Sequence, residues 1–165
     1  MKTLYIVRHA KSSWDNLSLE DTERPLNKRG LKDAPKMAKI FASNNTPPDL
    51  VISSPARRAL ETAEHFSDAL GYDLNKIKVK ESVYEASLDE LFEVIMECKS
   101  KYESILLFSH NPGLTKFINY FSPVKIDNLP TCGIFCLEFK VNKWSKIDPE
   151  NCDFIYYDYP KKHKK

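Results

Sequence analysis

An α/β fold, a three-layer sandwich with a mostly parallel central sheet flanked by helices, is what this sequence predicts. Short runs of strand character, TLYIV, DLVIS and SILLFS, are nearly continuous in apolar residues, as strands buried on both faces are. The segments between them repeat apolar residues with helical period. At 165 residues, with 42% apolar and 29% charged side chains, the chain has the composition of one soluble domain and can bury a core without a metal or disulfide framework. We expect a single domain over residues 1–160 and a solvated, frayed basic tail over 161–165.

Element by element, the first strand is TLYIV, which stops abruptly at Arg8-His9. Residues 10–27 are polar and rich in Asp, Asn and Ser, so they read as a loop, with Asn27 placed to cap the next helix. From Lys28 to Ser43, Leu31, Ala34, Met37, Ala38, Ile40 and Phe41 fall mostly on one helical face; Pro35 predicts a kink, or a regular helix that begins only near Asp33. NNTPP breaks the chain, and residues 49–53 form a second strand. Ser54-Pro55 then reads as an N-cap followed by proline at the first helical position, opening a helix that runs to Gly71. Arg57 and Arg58 fall in its first turn, where the helix dipole does not favour cations. KIKVKESVY is a third strand candidate, and SLDE a capping box from Ser87 to Glu90. SILLFS ends at His110 and is followed by the helix NPGLTKFINYF. GIFCLEF, KWSKI and FIYY read as closing strands with no helix between them.

Charge and cysteine usage exclude several function classes. Four of the 25 basic residues lie in the terminal KKHKK, so the +2 of the whole chain becomes −2 over residues 1–160. That balance argues against a nucleic-acid reader, whose domain carries a basic patch or stripe. No run reaches the roughly 20 apolar residues needed to span a bilayer, and Arg8-His9 cuts the first apolar stretch short of a signal peptide. Cys98, Cys132, Cys136 and Cys152 lack the paired spacing of a zinc site and read as reduced thiols, as in a cytoplasmic protein, with Cys132 and Cys136 as small core residues rather than ligands.

Ligands of open α/β sheets collect beyond the carboxyl ends of the strands. Those ends carry Arg8-His9, Ser54 with nearby Arg58, Tyr84-Glu85 and Ser109-His110. Taken singly, each has an ordinary reading as a surface charge or a helix cap. Two arginines, two histidines and a carboxylate together favour a pocket for a dianion. Guanidinium groups of Arg8 and Arg58 can hold phosphoryl oxygens bidentately. A neutral imidazole at His9 can attack phosphorus in line, Glu85 can protonate the leaving atom, and His110, protonated beside the phosphate, can donate to an equatorial oxygen. Ser12 is either a hydroxyl donor to phosphate or a plain turn residue. Arg24 ties the long loop down. His65 and His163 have nothing around them that suggests chemistry. No metal and no cofactor are expected.

The segments VRHAKSSW, ERPLNKRG, SSPARRALETA, VYEAS and FSHNPG, in that order and spacing, resemble the histidine phosphatase superfamily, also called the phosphoglycerate mutase-like fold. RHAKSSW, RPLNKRG and the short length look most like its SixA-type phosphohistidine phosphatases. The resemblance implies that the Arg-His pair is Arg8-His9, that His9 becomes phosphorylated, that the second arginine is Arg58 rather than Arg57, and that the late histidine is His110. The family acid falls on Glu85, which otherwise reads as an exposed loop carboxylate, and some SixA-type members lack that acid. Ala10 stands where the familiar motif has glycine.

Three readings follow from the sequence. The first is a phosphatase acting on phosphohistidine in a partner protein through a phosphohistidine enzyme intermediate. The second is a phosphomonoesterase of broad specificity for small phosphorylated substrates. The third is a phosphate-binding module without turnover. None involves nucleic acid or membrane.

Overall fold

The computed structural model describes residues 1–164. Strands β1 (Lys2–Arg8), β2 (Leu50–Ser53), β3 (Lys78–Val79), β4 (Ser104–Ser109), β5 (Ile134–Phe139) and β6 (Cys152–Asp158) form one sheet in the order β3-β2-β4-β1-β5-β6. The first four neighbours pair in parallel, and β5 and β6 add antiparallel at one side. Helices α1 (Lys28–Asn44) and α2 (Arg57–Leu70) cover one face, α3 (Leu88–Met96) and α4 (Gly113–Phe121) the other.

Alternation along the strands divides the core. Leu106 and Phe108 of β4 pack with Met37, Phe41, Ala63 and Phe66 on the α1/α2 side. Ile105 and Leu107 pack with Leu91, Ile95, Leu114 and Phe117 on the other. Both faces of the central strands are therefore apolar, which is why these strands read as continuous runs rather than as alternating ones. Among the described residues no helix is long and apolar enough to cross a membrane.

Asn27 caps α1 by accepting from the Gly30 amide at 2.9 Å, and the capping box from Ser87 to Glu90 is present. Five local readings are corrected. Pro35 neither starts nor interrupts α1, which is continuous from Lys28; the carbonyl deprived of its partner is that of Leu31, on a turn open to solvent, so water can replace the lost bond. The cap of α2 is Ala56, not Ser54, whose hydroxyl accepts from the Ala56 amide at 3.1 Å and closes a turn before the helix. KIKVKESVY contributes only the two residues of β3 before a 3-10 turn over Glu81–Val83. KWSKI holds a 3-10 turn over Trp144–Lys146, which places Trp144 and Ile147 on one buried side as a strand would not. The tail is not frayed through its described part: Pro160–His163 form a 3-10 turn, with His163 Nε2 2.7 Å from Asp158 and Lys36 donating to the His163 carbonyl. Lys165 lies outside the described residues.

Strand register places the site. Arg8 of β1 stands opposite Ser109 of β4, and Ser53 of β2 opposite Phe108, so these three strands end level with one another. His9, Ser54 and His110 thus leave the sheet side by side. Two glycines allow close contact beside them. A Cβ on Gly30 would meet the Lys11 carbonyl oxygen at 2.1 Å, and one on Gly113 would meet that of Ala86 at 1.9 Å, so the loops after His9 and after Glu85 rest directly on α1 and α4.

Candidate active site

All six residues singled out from the sequence, Arg8, His9, Ser12, Arg58, Glu85 and His110, line one cavity of about 250 Å³ at the carboxyl ends of the strands. Lys11, Trp14, Asp21, Arg24, Asn111 and Thr131 complete the wall. Larger hollows elsewhere on the surface lie away from this chemistry.

His9 is buried at the end of β1, its ring fixed by a 2.7 Å bond from Nδ1 to the carbonyl of Ala10. A carbonyl only accepts, so Nδ1 carries the proton and Nε2 keeps its lone pair. The main chain is fixed as well. The Cys132 amide spans the carbonyls of Arg8 and His9, and the Ala10 amide donates to Thr62 Oγ1 at 3.0 Å. Thr62 in turn donates to the Arg58 carbonyl at 2.7 Å, joining the His9 loop to the first turns of α2.

Arg8 donates from one terminal nitrogen to the Leu129 carbonyl at 3.0 Å, while its Nε is buried without a partner among the described residues. An unpaired buried donor of a cation is a group that an anion would satisfy. Arg58 explains its place in the first turn of α2: it is buried and reaches into the cavity, 3.0 Å from Asp21 Oδ2, 2.8 Å from the Asp21 carbonyl and 3.4 Å from His110 Nδ1. Arg57 points to solvent and pairs with Glu61. His110 holds Ser54 Oγ at 2.7 Å through Nε2 and lies 5.2 Å from His9 between ring centres.

Asp21, Thr62 and Trp14 are site components that the sequence reading did not select, and Tyr84 was placed at a strand end without a role. Asp21, from a 3-10 turn over Asp21–Glu23, binds Arg58 and Arg24 and accepts from the Tyr84 hydroxyl. An acid three residues before an arginine in DTERP was the available signal. Ser12 accepts from Arg24 through Oγ, which leaves its own hydroxyl hydrogen free. Glu85 is 59% exposed, its Oε1 3.9 Å from Arg58, and has φ of 46°, a left-handed conformation unusual for a side chain of this kind. His65 lies outside the cavity.

Burial pushes His9 down to about 4, opposed by its bond to Ala10 and reinforced by the charges of Arg58, Arg8 and Arg24. His110 is pushed down to about 3 by burial, then by His9 and Arg58. At Asp21 burial pushes upward, but the bonds from Tyr84, Arg24 and Arg58 outweigh it and hold the carboxyl at about 2. Among the protein's own charges, then, both imidazoles are neutral at pH 7, with His110 donating to Ser54 and accepting from Arg58. The protonated His110 expected from the sequence therefore requires the added negative charge of a dianion.

Both histidines take up protons less readily folded than unfolded, so their contribution is complete above the unfolded value of 6.5 and is lost as pH falls from there toward 4 and 3. Thermal melting of the wild type is expected to decline over this window, and His9→Asn to flatten the decline. Parallel pH profiles for the two proteins would contradict the assignment.

The model of the histidine phosphatase superfamily (branch 1) matches residues 4–102. The chain belongs to the histidine phosphatase superfamily. An uncharacterized chloroplastic protein of Arabidopsis thaliana is 34% identical over 153 residues, covering 88% of this chain and 70% of that protein. Among solved structures, a protein histidine phosphatase SixA complexed with tungstate superposes with a TM-score of 0.82 at 20% identity, covering 98% of this chain and 99% of that one. A mycobacterial glucosyl-3-phosphoglycerate phosphatase complexed with VO3 superposes with a TM-score of 0.67 at 12% identity over 90% of this chain and 96% of that one. At these identities the likeness is one of fold, here the fold of a histidine phosphatase.

Proposed function

We propose that this histidine phosphatase hydrolyses phosphohistidine on a partner protein through a phosphorylated His9. The observation that carries the reading is His9 itself: a neutral imidazole, locked through Nδ1, with Nε2 free in a cavity walled by Arg8, Arg58 and His110. The Nε2 lone pair attacks phosphorus, and the bond from phosphorus to the leaving nitrogen breaks with its electron pair going to that nitrogen. Arg8 and Arg58 hold the equatorial oxygens. His110, which gains a proton with the dianion, donates to one of them from Nδ1. Water then attacks phospho-His9, the second P–N bond breaks, and the electron pair returns to Nε2. In this reading Glu85 gives a proton to the leaving group and takes one from the water. These steps use side chains alone, with no cofactor.

Preference for a protein substrate rests on the open cavity. Between Glu85 and Ser104 the chain forms α3 and a turn, with Leu91, Val94 and Ile95 packed inward against α4, so this segment supplies no lid. A protruding side chain can enter. The four cysteines are free, and burial raises their thiols, in keeping with a reducing compartment such as the cytoplasm. A second reading, small phosphate monoesters, is favoured by Glu85 near Arg58, because an alkoxide needs a proton on leaving. Turnover on a phosphohistidine domain compared with small phosphate esters tests the choice, and a large preference for the esters would reject it.

Glu85→Gln separates the two chemistries. The imidazole of phosphohistidine can leave already protonated, whereas an ester oxygen cannot, so the loss is expected to be greater on esters, within the roughly 10²–10⁴-fold range of general acid catalysis. Wild-type rates on both substrates would remove Glu85 from the mechanism.

A further inference from the structure

Trp14 stands at the rim of the cavity with 64% of its surface exposed, while the other tryptophan, Trp144, is fully buried. It is not a loose surface residue. The guanidinium carbon of Arg24 lies 3.3 Å from the indole ring centre, which is face contact. Arg24 is itself buried and fixed, bonded through Nε to the Ser13 carbonyl at 3.0 Å, through one terminal nitrogen to Asp21 at 2.8 Å and through the other to Ser12. One face of the indole is thus held by a fixed cation, and most of the remaining ring surface is exposed at the lining of the cavity.

In-line transfer to His9 fixes where the leaving group goes. His9 lies on the buried floor, so the leaving atom sits opposite it, toward the mouth, where Trp14, Lys11 and Glu85 form the rim. An aromatic face held in one orientation is suited to stack a flat ring and offers less to a flexible alkyl chain. From this we infer that Trp14 is a specificity residue: its exposed ring surface stacks a planar conjugated ring carried on the leaving atom. The inference rests on the phosphatase reading of the same cavity. The imidazole of phosphohistidine and the phenol ring of an aryl phosphate share this chemistry.

The test compares kcat/KM for phosphoimidazole, a phosphohistidine domain and phosphotyrosine with that for phosphoserine, in the wild type, Trp14→Ala and Trp14→Phe. For Trp14→Ala the ratio of each planar substrate to phosphoserine is expected to fall about threefold to tenfold, carried mainly by KM, and Trp14→Phe to restore most of it. A fall with the imidazole substrates alone, or with the phenol alone, identifies which ring is recognised. If Trp14 merely shields Arg24, all substrates lose equally and the ratios stay put, which overturns the inference. Binding is read separately by tryptophan fluorescence in His9→Ala, titrated with phosphoimidazole. Quenching present in that variant and absent from His9→Ala/Trp14→Phe supports stacking even if no substrate is turned over, an outcome that would count against the phosphatase reading alone. No quenching overturns it.

Discussion

His9→Ala is expected to abolish turnover, by at least about 10⁴-fold, the scale seen when a covalent nucleophile is removed from an enzyme whose remaining groups still bind substrate. The alternative nucleophiles are poorly placed to replace it. The His110 ring is tied to Ser54 and Arg58, and Ser12 holds Arg24. Alanine at position 9 also leaves Arg8, Arg58 and His110 in place, so phosphate or vanadate should still bind and raise the melting temperature by mass action. The two readouts divide chemistry from binding. Mass spectrometry after base quench should find phosphate on the wild type at His9, lost on acid treatment and missing from the variant. Undiminished hydrolysis by His9→Ala would overturn the covalent route. A wild type that binds vanadate without turning over any phosphoryl donor would instead mark the chain as a binding module.

Much of this site was legible because the sequence puts its charged residues where apolar runs stop. TLYIV and SILLFS end in Arg8-His9 and Ser109-His110, and the parallel pairing of two strands buried on both faces brings those ends level. The helical pattern around Arg58 likewise predicts a cation in a first turn that dipole physics disfavours, and its bonds to Asp21 supply the reason. Asp21 was not legible in the same way. It sits in a polar loop where an aspartate is an ordinary turn residue, and only the folding of that loop over α2 turns it into the partner of two arginines and a tyrosine. Boundaries failed for local reasons: Ser54 has the chemistry of an N-cap but spends it two residues early, and Pro35 is tolerated because the carbonyl it orphans faces water.

Arg58→Ala is expected to lower kcat/KM by roughly 10²–10³-fold, the cost of losing a charge-assisted donor that tightens on the transferring phosphoryl group, while Arg57→Ala changes it little. The contrast is sharp because the two residues are adjacent on α2 yet differ in surroundings: Arg58 is buried in the cavity, and Arg57 is exposed on an i,i+4 pair with Glu61, of a kind that contributes only a few tenths of a kcal/mol. Removing Arg58 also leaves the Asp21 carboxylate with Arg24 and Tyr84 as its remaining partners, so part of the loss arises from a negative charge freed beside the phosphate. The double variant Arg58→Ala/Asp21→Asn separates the two contributions. If repulsion matters, it recovers activity relative to Arg58→Ala; if Arg58 acts by holding phosphoryl oxygens alone, it does not. Arg58→Lys keeps the charge but not the planar fork and is expected to stay well below the wild type. Equal losses for Arg57→Ala and Arg58→Ala would show that the first turn of α2 contributes general positive potential rather than a directed contact, and would remove Arg58 from the phosphate site.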